Sequence, residues 1–149
     1  TLVWHTFMGN ANDSDEIYAI ARDDVGRLIV AGVSRSGWGR PVIPHPEGGV
    51  GDAAFVAALS TDGRLLGNTF VGGASSDDEA FGVAITQQDD IYVSGTSWSP
   101  DSVGWSNPSW GTPIRAFSGD RDAFVARLGT RSVVRYWLYQ PIVLKSYAQ

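Results

Sequence analysis

Apolar residues in this chain come in short bursts that alternate with polar positions, and they do not recur every three or four residues. Leu2–Met8, Ile17–Arg22, Leu28–Val33 and Ala54–Leu59 are six or seven residues long, rich in Val, Ile, Phe and Tyr, and bounded by Gly, Asp, Asn and Ser. That pattern predicts β-strands. Leu65–Val71, Ala80–Ile85, Ile91–Thr96 and Ala123–Leu128 read the same way. The spacers Asp23-Asp24-Val25-Gly26 and Thr61-Asp62-Gly63 have hairpin-turn chemistry, because Gly and Asp tolerate positive φ. Asp89-Asp90 takes the corresponding place further on without a glycine, which predicts a less ideal turn. No segment carries a 3.6-residue period, so helix is expected to be close to absent.

The two sets of strands are copies of one another. Displaced by 63 positions, residues 6–36 align with 69–99 without a gap and match at 11 of 31 positions. Ordinary residue usage would give on the order of two matches. Thr6, Phe7, Gly9, Asp15, Glu16, Gly32, Ser34 and Ser36 answer Thr69, Phe70, Gly72, Asp78, Glu79, Gly95, Ser97 and Ser99. After a length change, Ala54-Phe55-Val56-Ala57 and Leu59 answer Ala123-Phe124-Val125-Ala126 and Leu128. Such repetition marks a unit that cannot bury its apolar face alone.

The expected fold is therefore all-β: two four-stranded antiparallel β-propeller-like blades, residues 1–63 and 64–132, forming one domain, with an extra C-terminal strand in 133–149. Trp4–Gly9, Asn68–Gly73, Asp77–Ala84, Ile91–Ser97 and Asp122–Leu128 together resemble the SBBP family of bacterial β-propeller repeats. Ala53 departs from that pattern, where the family favours Asp. The resemblance implies a part of an exported or cell-surface protein, generally one without an assigned activity.

Two blades cannot close a ring, since propellers take four to eight. Val133–Tyr139 occupies the slot of a third first strand, and Pro141–Leu144 adds a further apolar stretch. So apolar a strand needs a sheet edge to join, in its own chain or in a neighbour. Val134, Tyr136, Trp137, Leu138, Tyr139, Ile142, Val143 and Leu144 are the candidate assembly residues, and a homo-oligomer or polymer is the expected state. Charge agrees with a docking tail. Residues 1–130 hold all 16 acids against eight Arg, a net −8, whereas 131–149 hold three basic residues and no acid.

Composition narrows the chemistry. The net charge of −5 and the lack of a basic stripe exclude an ordinary nucleic-acid binder. No apolar run reaches the ~20 residues of a membrane span, and no span is expected. Without cysteine there are no disulfides, thiolate metal sites or cysteine nucleophiles. Thr1 in place of Met suggests a processed chain whose export signal has been removed.

Of the two histidines, His5 is expected mid-strand and His45 in an exposed Pro44-His45-Pro46 turn. No catalytic motif is present, and neither cofactor nor metal is expected. The acidic turns Asn12–Glu16 and Ser76–Glu79 admit two readings, carboxylates for Ca²⁺ or acceptors for backbone N–H groups that fix the turn. The loops 34–53 and 97–121 carry Trp38, Trp98, Trp105 and Trp110. These indoles either pin the loops by packing or offer platforms to sugar rings. The expected function is thus a non-enzymatic, extracellular or cell-surface structural protein that self-assembles through β-strand complementation. The alternative is a carbohydrate-binding module using the four loop tryptophans.

Overall fold

The computed structural model describes residues 1–46, 51–73, 77–99 and 113–129. Among them there is no helix, and seven strands follow in order: β1 Asp15–Arg22, β2 Leu28–Ser34, β3 Ala53–Leu59, β4 Leu65–Val71, β5 Asp78–Ile85, β6 Asp90–Ser97 and β7 Asp122–Gly129. They form two antiparallel meanders, a four-stranded sheet β1-β2-β3-β4 and a three-stranded sheet β5-β6-β7. The chain is all-β, and the described residues form no closed propeller.

The sheets are out of phase with the copies. β4 opens the second copy, yet it pairs with β3 of the first, Ala54 opposite Val71, Phe55 opposite Phe70 and Val56 opposite Thr69. The first sheet therefore begins at the second strand of one copy and ends at the first strand of the next, while the second sheet begins at the second strand of its copy and, among the described residues, ends at the last strand of that copy. This corrects the expectation that each copy forms one blade. It also decides the fate of Leu2–Met8, which has no described sheet ahead of it and forms no strand. His5 is accordingly exposed on an irregular segment and not mid-strand.

The turn expectations hold in detail. Gly26 and Gly63 sit at φ +90° and +81° in the β1–β2 and β3–β4 turns. Asp89 stands where the first copy has Gly26 and is forced to φ +63°, a region unfavourable to any residue with a Cβ. Arg27 reaches across from the other sheet and donates to Asp89 Oδ1 at 3.0 Å. β1 and β5 carry a bulge at the same repeat position, between Ile17 and Ala19 and between Ala80 and Gly82. The bulges press Glu16 O and Glu79 O onto Gly32 and Gly95, where a Cβ would lie 1.9 and 1.8 Å from oxygen. Only glycine fits opposite such a bulge.

Alternation along the strands gives each sheet two faces. One face of the first sheet, with Ile29, Ala31, Ala54, Val56, Ala58 and Val71, packs on Ala80, Ile91, Val93 and Leu128 of the second. The face that the second sheet offers corresponds by repeat to the opposite face of the first. The sheets thus stack front on back, as blades do. On the first sheet that back face holds Val30, Ala53, Phe55, Ala57 and Phe70, and it is covered by Trp38 and Met8. The loop that brings in Trp38 also lines the outer edge of β4: Val42 N donates to Asn68 O at 2.9 Å and Phe70 N to Ile43 O at 3.1 Å.

The front of the second sheet is exposed. Its residues Tyr92, Ser94, Val125 and Arg127 stand where the first sheet buries Ile29, Ala31, Val56 and Ala58. Three of these four exchanges add polar atoms or charge. Ala58→Arg, which imports the second copy's residue, places an unpaired charge in the inter-sheet core. It should cost at least about 3 kcal/mol in urea unfolding. The reverse change, Arg127→Ala, loses only an exposed pair with Asp90 and should move stability by no more than about 1 kcal/mol.

Candidate functional site

Polar identities between the copies converge on one device. Gly9 and Gly72 adopt φ +139° and +140° at the end of each first segment. A Cβ there would fall 2.0 and 2.3 Å from Asp15 Oδ2 and Asp78 Oδ2, so the carboxylate occupies the space that glycine leaves. The next backbone N–H donates to it, from Asn10 to Asp15 Oδ2 at 3.0 Å and from Gly73 to Asp78 Oδ2 at 2.7 Å. A serine hydroxyl from the end of β2 or β6 joins, Ser34 to Asp15 Oδ1 at 2.5 Å and Ser97 to Asp78. Ser99 adds a second hydroxyl to Asp78 Oδ2 at 3.0 Å. These aspartates are turn clamps. Among the described residues no group of three or more His, Cys, Asp or Glu is placed to hold a metal ion.

The tryptophans divide. Trp38 is buried, its ring edge-on to Phe55 at 5.1 Å and Phe70 at 6.0 Å. Its Nε1 donates to Ser34 Oγ at 3.1 Å and its carbonyl accepts from Asn68 Nδ2 at 3.0 Å. Trp38 is 8% exposed and its N–H is used internally, so it is a packing residue and no sugar platform. Trp98 is half-buried, with the Arg121 guanidinium 4.3 Å over its ring. Trp105 and Trp110 lie outside the described residues, as do Val134, Tyr136, Trp137, Leu138, Tyr139, Ile142, Val143 and Leu144.

His45 corrects its expectation. It is buried, its Nε2 lies 3.3 Å from Ser34 O, and its ring meets Phe70 edge-on at 5.1 Å. The flanking prolines signal a turn, but no local signal shows that the turn folds over the back of β4. β1 and β5 meet through repeat-equivalent residues, Tyr18 and Phe81, with ring centroids 5.2 Å apart. Partial burial, then the Glu16 carboxylate that accepts the phenol hydrogen at 2.9 Å, hold Tyr18 up at about 12.

The features that bear on assembly are the sheet edges and the segments that could cover them. β4 covers β3, and Val42–Ile43 covers β4. Among the described residues no strand pairs with the outer edge of β7. Apart from Met8, which packs on the back of the first sheet, Leu2–Met8, the repeat equivalent of β4, is exposed: Leu2, Val3 and Phe7 are 73%, 89% and 92% exposed. Phe70, at the place that matches Phe7, is 1% exposed, while Leu65, at the place of Leu2, is itself 41% exposed. Trp4 rests against Gly63, at the tip of the β3–β4 turn.

Asp78 makes stability depend on pH. Burial is the largest influence and pushes its carboxyl from the ordinary 3.8 up to about 6, against the lowering effect of the Ser97, Gly73 and Ser99 donors. The folded chain therefore holds this proton more tightly than the unfolded one. The resulting stabilisation is complete below pH ~4 and is lost as pH rises through about 6, with on the order of 2 kcal/mol involved. The urea midpoint should rise between pH 7.5 and pH 5, and Asp78→Asn should remove most of that rise.

The chain matches no protein-family model and none of the curated proteins.

Proposed function

We propose that the protein is a non-enzymatic structural component of an extracellular or cell-surface assembly, built by β-strand complementation between copies of the chain. The observation that carries this reading is the phase of the sheets. The first sheet is complete only because the next copy of the repeat lends it β4. At the start of the chain the same relation leaves Leu2–Met8 with the sequence of a fourth strand and no described sheet to complete. An unpaired strand edge and an exposed strand former on one molecule favour addition of one chain to the next. Such a contact is heterologous, and it yields a ring or a filament according to its rotation.

Two further observations favour edges over faces. The front of the second sheet carries Tyr92, Ser94 and Arg127 where a continuing stack would need apolar residues, and the back of the first is sealed by Trp38. The resemblance to SBBP repeats supports an exported setting. Mass measurement of the native particle tests the reading: species of two or more 16.0 kDa chains are expected at micromolar concentration. A monodisperse monomer up to about 100 μM, where weak transient contacts already register, overturns it.

A further inference from the structure

Building on the self-association proposed above, we propose that Leu2–Met8 of one chain is the donated strand, and that it adds to the outer edge of β7 in a second copy in the register that β4 takes on β3. The segment and β4 share Thr-Phe-x-Gly at Thr6–Gly9 and Thr69–Gly72, and the acceptor strands share Ala-Phe-Val-Ala at Ala54–Ala57 and Ala123–Ala126. Donor and acceptor are thus each a copy of a pair whose geometry is known. By contrast, 134–140, at the repeat place of β4 beyond β7, keeps none of that Thr-Phe-x-Gly signature.

The register follows residue by residue from the observed pair. Ala54, Phe55, Val56, Ala57 and Ala58 face Val71, Phe70, Thr69, Asn68 and Gly67. Carried over, Ala123 faces Met8, Phe124 faces Phe7, Val125 faces Thr6, Ala126 faces His5 and Arg127 faces Trp4. Phe7, 92% exposed in the free chain, enters the kind of place where Phe70 is 1% exposed beside Phe55. Arg127 comes beside the Trp4 indole, an arrangement that favours a cation over a ring. Donor and acceptor are different segments of one chain, so every added copy presents a fresh edge.

Because the chain has no cysteine, engineered pairs report the register directly. Thr6 and Val125 are both exposed, so replacing either leaves the fold intact. Thr6→Cys and Val125→Cys proteins, mixed and oxidised, should give a disulfide-linked species of two 16.0 kDa chains. Thr6→Cys mixed with Ala123→Cys, two places out of register, should give at least ~10-fold less. Phe7→Asp should reduce the particle to monomer with unchanged thermal unfolding. No cross-link at the Thr6–Val125 pair, or one that appears only after residues 133–149 are removed, overturns the proposal. If Phe7→Asp leaves the particle intact while loss of 133–149 dissolves it, the tail is the donor: this inference fails and self-association stands. If the unmodified chain is a monomer, both fail.

Discussion

The ladder between β3 and β4 is the constraint from which the rest of the molecule follows. It joins the last strand of one sequence copy to the first strand of the next, so neither copy holds a complete sheet of its own. Backbone hydrogen-bonding groups are obligatory, and an edge left bare is a place where another strand adds. In this chain the ladder satisfies that need within the first sheet. It also defines what a matching ladder on β7 would contain.

Packing between the sheets obeys the same repeat logic in the perpendicular direction. At the junction between the two sheets the front face is small and apolar: Ala31, Ala54, Val56 and Ala58 leave room for Phe124, Val93 and Leu128. The ends of the stack are treated differently. At one end a loop folds back and seats Trp38 over Phe55 and Phe70. At the other the same strand positions become Tyr92, Ser94 and Arg127. Among the described residues, neither outer face presents the bare, small apolar surface found between the sheets.

Strand existence was legible in the sequence because period-two patterning and turn residues are local properties. Of the nine expected strands seven are present, with ends displaced by two residues or fewer, and the one expected in 133–149 lies outside the described residues. Leu2–Met8 fails for a reason no local pattern contains. A strand exists only where a neighbour takes its hydrogen bonds, and the described residues offer it none. The repeat was visible, but its structural phase was not, since a run of strands reads alike whichever one begins the sheet. The clamp around Asp15 and Asp78 was half legible. Matched acids and glycines marked a turn, whereas the contribution of Ser34 and Ser97, some twenty residues away, needed the fold. Burial of His45 and Trp38 depends on where a proline-rich loop lies, which composition does not encode.

The offset between copy and sheet also separates two notions of a boundary that usually coincide. The Thr61-Asp62-Gly63 turn is where the sequence changes copies, yet the strands on either side of it are hydrogen-bonded partners. A peptide bond cut in that turn would leave both pieces held by a full ladder and by the apolar layer beneath it. The covalent seam of the duplication thus runs through the middle of a sheet, and the mechanical seam lies elsewhere, between Gly73 and Asp78, where the chain passes from one sheet to the next.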